Sequence, residues 1–393
     1  MHVKHSPHHR APHTKLHIRE LWEKHVLPFI KKNAVLLIAL LAAAITTFIV
    51  PPDVKYLDYF DWKTLTCLFC VLAVVCALKN IRFFFFLAQK IVKIFKNTRA
   101  SILALAYITF IGSMLIANDM ALLTFLPLGY FVLSSTGKKK YMAFTFIMQN
   151  IAANLGGMLT PFGNPQNLYL YTKFNIPTGE FMLTMLPPFA LSVALITLCC
   201  FIFVKKENLE VSEEKILLPT WRTIVYGVLF ALSIVIVFRI IPFWIGLIVI
   251  PIALLFLDRK ALAQVDYGLL LTFVAFFIFS GNMSRIPVIE KAFGYLMNKN
   301  ALVVSTFSCQ CISNVPSAIL LSQFTENWKP LLLGVNVGGV GTLISSLASL
   351  ITFREYLSHN KGGAKKYILL FSAFNFAFLF ILLGACALFL LFL

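Results

Sequence analysis

The chain has 393 residues, of which 59% are hydrophobic and only 13% are charged. A soluble domain carries about 25% charged residues, so this composition excludes a water-soluble globular protein and predicts an integral membrane protein. Lysine and arginine outnumber aspartate and glutamate by 34 to 16. In a membrane protein such an excess indicates basic cytoplasmic loops, and because no soluble basic module is apparent we expect no nucleic-acid partner.

Residues 1–32 hold seven of the eight histidines together with seven lysines or arginines. We interpret them as a basic, His-rich cytoplasmic tail that contacts anionic lipid head groups, which we favour over a metal site. Because this region is polar, no cleavable signal peptide is expected. The eight cysteines lie in apolar runs, so we expect them to pack against neighbouring side chains rather than to bind zinc.

Apolar runs near the length that crosses a bilayer, ~20 residues, follow the tail. They predict about nine spans, at 33–50, 64–79, 142–172, 181–204, 223–240, 243–257, 266–282, 330–353 and 367–393. Two further apolar stretches, 100–135 and 300–324, have polar residues at their centres and are predicted to be re-entrant hairpins. Residues 81–98 mix phenylalanine with lysine at helical spacing, which predicts an amphipathic helix at the membrane surface, and 286–297 resembles a shorter counterpart.

The distribution of basic residues supports this topology. With a cytoplasmic N-terminus and both hairpins entering and leaving on one face, 26 of the 34 lysines and arginines fall on the cytoplasmic side and eight on the other. Such a bias sets the orientation of membrane proteins. A hairpin that crossed fully would move every later loop to the opposite side and weaken the bias. We therefore predict a multi-pass protein of the plasma (inner) membrane with its N-terminus in the cytoplasm.

Three short motifs occur twice in the same order. The first copy comprises FDWKTLT at 60–66, ANDMA at 117–121 and NLGGMLT at 154–160, and the second comprises VDYGLLL at 265–271, SNVPS at 313–317 and NVGGVGT at 336–342. In the predicted topology the copies run in opposite directions, which is typical of transporters built from inverted repeats. We predict an all-α polytopic fold of two inverted repeats, each with a re-entrant helical hairpin and an unwound transmembrane helix.

This pattern divides the chain into six predicted parts. They are the tail at 1–32, a first span and external loop at 33–63, repeat 1 at 64–204 with hairpin 100–135 and broken helix 142–172, a linker with scaffold spans at 205–265, repeat 2 at 266–366 with hairpin 300–324 and broken helix 330–353, and a last span at 367–393.

Glycine and proline concentrate where each helix is predicted to break. In a helix interior glycine costs about 1 kcal/mol and proline about 3, and non-helical backbone at membrane depth is tolerated where it lines a polar cavity or is buried in protein. A Gly-Gly pair also permits close helix packing, but its recurrence with an asparagine at each hairpin tip favours a binding site. The new helix N-termini suit an anion, and unwound carbonyls suit a cation.

Asp119 is the acidic residue placed most clearly at membrane depth. Carboxylates inside a membrane are costly and mark ion or proton pathways. One interpretation is that Asp119 binds the coupling ion or carries a proton. The other is that it only caps the helix that follows it, as aspartate often does.

The segments NIAANLGGMLTPFGNPQNLYLY at 150–171 and SNVPSAILL at 313–321 resemble the ion transporter superfamily. This group includes citrate and dicarboxylate carriers, divalent anion/sodium symporters, arsenite-efflux permeases and some Na+/H+ antiporters. The resemblance covers roughly residues 33–393. It implies an elevator-type carrier, in which a transport domain with both hairpins moves against a scaffold, and homodimers are common among the dicarboxylate relatives.

The resemblance also implies a substrate site between the two hairpin tips and the two unwound segments. Carried over position by position, it nominates Asn118, Asp119, Gly157, Thr160, Asn164, Asn167, Ser313, Asn314, Gly338 and Thr342. A Na+ site is implied near Asn118, Asp119 and Asn314. Dicarboxylate symporters carry Ser-Asn-Thr at both tips, whereas three of the four flanking hydroxyls are replaced here, and the Asn-Asp tip is closer to the arsenite-permease and antiporter branch.

A carboxylate beside an anion site repels the anion unless it is protonated or paired with a cation. We therefore expect a secondary active transporter of a small anion or oxyanion, such as a carboxylate or an inorganic anion, coupled to Na+ or H+ and without any other cofactor. The alternative is a Na+/H+ antiporter of the same fold. A membrane-embedded enzyme is not expected, because His359 is the only histidine outside the tail and the membrane carboxylates are unpaired.

Overall fold

The computed structural model describes residues 34–209 and 217–392, and the regular structure in these residues is helical. The predicted tail at 1–32 and part of the linker lie outside them. The α-helices are α1 (Ala34–Ile49), α2 (Trp62–Asn80), α3 (Phe83–Lys93), α4 (Thr98–Ile116), α5 (Asn118–Ser135), α6 (Met142–Gly156), α7 (Pro165–Lys173), α8 (Thr178–Phe203), α9 (Thr220–Val237), α10 (Phe243–Leu257), α11 (Arg259–Ala263), α12 (Tyr267–Ser284), α13 (Pro287–Ile312), α14 (Asn314–Leu321), α15 (Trp328–Val337), α16 (Leu347–His359) and α17 (Ala364–Leu390).

Among the described residues, six helices are long and apolar enough to cross a membrane: α2, α4, α8, α9, α12 and α17. Helices α1 and α10 are apolar but shorter. Long side chains on many of these helices face outward, as on α1, where Phe48 is 89% exposed. Large apolar surfaces of this kind are stable against lipid and not against water. The all-α polytopic membrane fold is confirmed.

Helices α4 and α5 form the first hairpin, here called hairpin 1. They meet at Ala117, and both open ends contact one short segment after α8. The N–H of Thr98 donates to the Glu207 carbonyl at 2.9 Å, while the ammonium of Lys138, just beyond α5, pairs with the Glu207 carboxylate. The chain therefore enters and leaves hairpin 1 at the same end of the molecule.

Hairpin 2 consists of the second part of α13, residues 301–312, and α14. Helix α13 is kinked at Asn300, where φ is −162° and ψ is 85°, and the Asn300 side chain caps the second part by accepting from the Val303 N–H at 3.0 Å. The first part of α13 is the short counterpart predicted at 286–297. Beyond the kink the chain runs to the turn at Ser313 and then reverses direction in α14. At the open end of hairpin 2 the rings of Phe293 and Phe324 stack, with centroids 5.1 Å apart.

The two hairpins open toward opposite ends of α8. Hairpin 1 contacts the segment that follows α8, as described above. Hairpin 2 opens near the start of α8, because Lys173 at the end of α7 contacts Gln323 at 3.4 Å and Tyr171 bonds to Thr178, the first residue of α8, at 2.7 Å. With 26 residues, α8 is about 39 Å long. The hairpins therefore approach the middle of the molecule from opposite sides.

Each broken helix has its interruption at the predicted motif. Helix α6 ends at Gly156, a 3₁₀ turn follows at Gly157–Leu159, and α7 begins at Pro165. In the second repeat α15 ends at Val337 and α16 begins at Leu347. The two repeats also pack against each other. Helix α5 of hairpin 1 packs against α16, and helix α14 of hairpin 2 packs against α7. Each hairpin packs against the broken helix of its own repeat and is also supported by that of the other repeat.

The ion pair at the open end of hairpin 1 leads to a first prediction. Hydrogen bonds from Lys138 and Lys140 lower the pKa of Glu207 from 4.5 to about 2. The pair therefore stabilises the fold above about pH 4.5, and this contribution is lost as the pH falls toward 2. We expect Glu207→Gln to lower the apparent melting temperature slightly at about pH 7 and to make it less sensitive to acid, as measured by thermal unfolding in detergent.

The matched control is Lys139→Gln, since Lys139 lies over the Tyr130 ring and no ion pair joins it to Glu207 in the described structure. Equal acid sensitivity in wild type and Glu207→Gln would show that the pair contributes nothing to stability.

Candidate functional site

The two hairpin tips have the same geometry. The turn residues Ala117 and Ser313 have φ values of 65° and 75° with ψ values of 152° and 160°. This region is nearly restricted to glycine and costs about 1–3 kcal/mol for other residues. After each turn an asparagine begins the returning helix, and its Oδ1 accepts from the N–H of the next residue at 2.9 Å, at Asn118 and at Asn314.

The two tips lie close to each other across the unwound segments. Asn118 Nδ2 donates to Asn154 Oδ1 at 3.2 Å, and the Asn314 N–H donates to the Ser345 carbonyl at 2.9 Å. A Cβ added to Gly339 would lie 3.2 Å from Asn314 Nδ2 and 3.6 Å from Asn154 Oδ1. Residues from both repeats therefore meet at one point.

Behind this point lies a cluster of buried amides centred on Asn336. Its Oδ1 accepts from Asn164 Nδ2 at 3.3 Å and from Gln166 Nε2 at 3.4 Å, and its Nδ2 donates to Asn167 Oδ1 at 2.6 Å. All four side chains are at most 1% exposed. Two oxygens of the cluster, Asn164 Oδ1 and Gln166 Oε1, are buried without a hydrogen-bond partner in the part of the chain that the structure describes.

Asp119 follows the first tip asparagine and is the second residue of α5. Its Oδ1 is buried and has no hydrogen-bond partner among the described residues. The N-cap position of α5 is occupied by Ala117, without a side-chain capping bond, so Asp119 does not act as the helix cap. The Asp119 side chain is only partly buried, but an unpaired carboxylate within the membrane is costly, so this oxygen is a candidate for binding a cation or a proton.

A cavity of about 600 Å³ opens in front of the tips. One wall is formed by α1 and α12, and the other by both tips, the start of α7 and the start of α16. The polar lining includes Asn118, Asp119, Gln166, Ser313, Asn314 and, at the start of α12, Asp266. Two carboxylates line this cavity, and no lysine, arginine or histidine is among the described residues that do so, so the formal charge of its described side chains is negative.

Comparison with known proteins agrees with this architecture. A family model described as "Citrate transporter" matches residues 21–330. An uncharacterized transporter of Methanocaldococcus jannaschii is 32% identical over 311 residues, which are 79% of this chain and 85% of the relative. The inner membrane protein YbiR of Escherichia coli is 28% identical over 306 residues, which are 75% of this chain and 80% of the relative.

The chain belongs to the citrate transporter family. It is a multi-pass membrane transporter, which confirms the predicted class, and the family model together with these relatives is consistent with the ion transporter superfamily.

In this citrate transporter family member, the ten nominated residues separate into two groups. Asn118, Asp119, Ser313 and Asn314 line the cavity. The other six lie in the layer behind it and hold the unwound segments in place. Thr160 donates to the Met114 carbonyl at 2.7 Å, and the Thr342 hydroxyl donates to the Gln310 carbonyl at 3.2 Å. Each threonine therefore ties its unwound segment to the first helix of its own repeat's hairpin.

The nominated glycines allow close approach of backbone and side chain. A Cβ on Gly157 would lie 2.4 Å from Asn164 Oδ1 and 2.6 Å from the Gly163 carbonyl oxygen, and a Cβ on Gly338 would lie 2.8 Å from Cys309 Sγ. Both positions therefore require glycine for packing.

Sequence reasoning missed Asn154, Asn336 and Gln166 as parts of the site. A signal for the first two was present, because each opens its copy of the N-x-G-G-x-x-T motif. Gln166 directly precedes the nominated Asn167 but has no counterpart in the other repeat's motif. Asp266 was visible only as the acidic residue of the VDYGLLL motif.

Proposed function

We propose that this member of the citrate transporter family is a secondary active carrier of a small anion or oxyanion, such as a carboxylate or an inorganic anion, coupled to Na+ or H+. The observation that carries the proposal is the cavity at which both hairpin tips meet, with a buried and unpartnered carboxylate oxygen beside the tip asparagines. Asn118, Asp119 and Asn314 are the proposed surroundings of the coupling ion.

Support for an anionic substrate comes from the helix ends. Helices α5 and α14 both begin at the cavity, at Asn118 and Asn314. The N-terminus of a helix carries a partial positive charge and free N–H groups, which favour carboxylates and oxyanions. The hydroxyl of Ser313, which also lines the cavity, adds a neutral hydrogen-bond donor.

Support for cation coupling comes from the net charge of the same cavity. Asp119 and Asp266 make it negative, and no basic side chain of the described lining compensates them. An anion entering alone would be repelled. Binding of Na+, or protonation of Asp119, reduces that repulsion, so the two species are expected to bind together.

An elevator-type movement is part of the proposal. The hairpins and the broken helices pack against one another across the repeats, while α1 pairs with α12 on the facing wall and α2 packs against α9 and α10. Sliding of the first group along the second would carry the cavity between the two sides of the membrane. The cytoplasmic N-terminus, the location in the plasma membrane and a homodimeric assembly remain proposals from the sequence.

The test is uptake into proteoliposomes that contain the purified protein. Labelled citrate, succinate, sulfate, phosphate and arsenite are offered separately, under an inward Na+ gradient, an inward H+ gradient or neither. We expect saturable accumulation of at least one anion under one of the gradients, and counter-exchange of that anion at equilibrium, which a channel would not show. The absence of gradient-dependent flux for every anion would contradict the proposal.

The second candidate is a Na+/H+ antiporter, which the two carboxylates and the lack of basic residues in the described lining favour. It predicts Na+-dependent proton movement in the complete absence of a transported anion. A pH-sensitive dye inside vesicles free of carboxylates and inorganic oxyanions, with a large buffer sulfonate as the only counter-ion, separates the two candidates, since a symporter gives no signal there.

A further inference from the structure

We propose that α3 carries a binding site for the head group of an anionic phospholipid, and that a lipid bound there controls the movement of hairpin 1. The site lies outside the cavity and goes beyond the proposed function, whereas its effect on movement rests on the proposed elevator mechanism. The residues concerned, here called the α3 surface, are Leu87, Lys90, Ile91, Lys93, Ile94 and Lys96.

Helix α3 has one face inside the protein and one face outside it. Phe84 and Ala88, four residues apart, are buried, so this face packs against the protein. On the other face Leu87 and Ile91 are 42% and 43% exposed. Ile94, directly after the helix, is 72% exposed. The exposed apolar side chains of an amphipathic helix at a membrane surface enter the boundary between head groups and acyl chains.

The same exposed face is basic. Lys90, Lys93 and Lys96 are exposed and alternate with the apolar residues along the chain. No acidic residue occurs between Lys79 and Arg99, a stretch with six lysines and arginines. Within the described residues no ion pair joins Lys90 or Lys96 to a carboxylate. Positive charge on this face is therefore available to a negatively charged partner.

A surface that is both apolar and basic fits an anionic lipid. A lysine keeps its methylene chain on apolar surface and extends its ammonium to the head groups, and the Lys90 ammonium lies 4.5 Å from the centroid of the Phe86 ring. Clusters of basic residues on an amphipathic helix attract anionic lipids, whereas zwitterionic lipids have no net charge to offer. A soluble anion would gain nothing from the exposed Leu87, Ile91 and Ile94.

The α3 surface lies where the two groups of helices in the proposed carrier join. Helix α3 follows α2, which packs against α9 and α10, and it contacts both helices of hairpin 1. The Ser101 hydroxyl of α4 donates to the Phe95 carbonyl at 3.3 Å. The Leu209 N–H donates to the Lys96 carbonyl at 3.0 Å. The end of α3 is thus tied to the open end of hairpin 1, and a lipid that holds α3 at the membrane surface holds the point from which hairpin 1 moves.

Three sets of exposed residues provide the variants. The α3 lysine variant combines Lys90→Gln, Lys93→Gln and Lys96→Gln, because glutamine removes the charge and keeps a good helix propensity. The matched control lysine variant removes three other exposed lysines, at the junction of α16 and α17, and combines Lys361→Gln, Lys365→Gln and Lys366→Gln. The α3 apolar variant combines Leu87→Gln and Ile91→Gln.

The first measurement is thermal unfolding of the purified full-length protein in detergent, titrated with phosphatidylglycerol or with phosphatidylcholine of the same acyl chains. A lipid that binds the folded state raises the apparent melting temperature by mass action. We expect phosphatidylglycerol to stabilise wild type and the control lysine variant at the same half-saturating concentration. The α3 lysine variant should need about tenfold more phosphatidylglycerol or a still higher amount. The α3 apolar variant should also bind this lipid more weakly.

Equal phosphatidylglycerol titrations of wild type and the α3 lysine variant would overturn the site. Equal stabilisation of wild type by phosphatidylcholine, or by soluble glycerol phosphate, would overturn the choice of an anionic lipid.

The uptake assay tests the effect on movement, in phosphatidylcholine vesicles with and without phosphatidylglycerol. We expect phosphatidylglycerol to speed uptake by wild type and by the control lysine variant, but not by the α3 lysine variant. The same dependence in all three proteins would overturn the control of movement and leave the lipid site intact. Stabilisation through the α3 lysines without any anion flux would uphold the lipid site and reject the anion carrier.

Discussion

Replacing Asp119 with asparagine is expected to abolish gradient-driven uptake while the protein stays folded. Asparagine has the same shape, and within 34–209 and 217–392 Asp119 Oδ1 makes no hydrogen bond that could be lost. With the coupling ion bound at Asp119 as proposed, the substitution removes one partner of an ion–carboxylate pair, which costs about 3–5 kcal/mol and corresponds to a loss of coupled uptake of more than about 100-fold. The apparent melting temperature should stay equal or rise, because a neutral amide is less costly to bury than a carboxylate.

The control for this prediction is Asp266→Asn, at the other carboxylate of the cavity. Asp266 caps α12 by accepting from the Leu269 N–H at 2.9 Å, and asparagine caps a helix about as well as aspartate. This variant should keep most of the uptake. If Asp119→Asn transported like wild type and Asp266→Asn did not, the coupling ion would have to be assigned to the start of α12.

Gly157→Ala is expected to produce the second large effect. The added methyl group would lie 2.4 Å from Asn164 Oδ1 and 2.6 Å from the Gly163 carbonyl oxygen. The carbonyl belongs to the backbone of the unwound segment and cannot rotate away. We expect a loss of stability of about 1–3 kcal/mol and nearly complete loss of uptake, because the displaced segment carries the amide cluster.

The matched variant is Gly227→Ala in α9, where an added Cβ meets nothing within 4 Å. It should keep normal uptake and should stabilise the helix by up to about 1 kcal/mol. Thermal unfolding and the uptake assay are measured on both variants. Wild-type behaviour of Gly157→Ala would show that the unwound segment has more room than the structure gives it.

The sequence allowed the hairpins and the helix breaks to be located because their determinants are local. Glycine and proline at 156–165 interrupt the helix because of their own backbone preferences. The structure places the interruption at Gly156 and Gly157. The sequence predicted separate segments at 286–297 and 300–324, and it did not predict that they join in one helix kinked at Asn300. Asparagine often caps a helix, but its presence in the sequence does not by itself predict a cap, because the side chain could equally have pointed to solvent.

The amide cluster was not predictable for a different reason. Asn336 contacts Asn164, Gln166 and Asn167, which lie about 170 positions earlier in the chain. A single sequence does not show which face of a helix will contact the other repeat. Threonine is ambiguous as well, since its hydroxyl can bond a nearby carbonyl instead of a ligand, as Thr160 and Thr342 do.

The bonding of the tip asparagines constrains how the protein enters the membrane. Asn118 bonds to Asn154 and Asn314 bonds to Ser345, so each tip depends on a residue that the ribosome adds later. In hydrocarbon an unsatisfied polar group costs several kcal/mol. We therefore expect that neither tip settles in the bilayer while its own hairpin is being made. Hairpin 1 must wait for α6, and hairpin 2 must wait for the segment before α16, so each hairpin is inserted together with its broken helix.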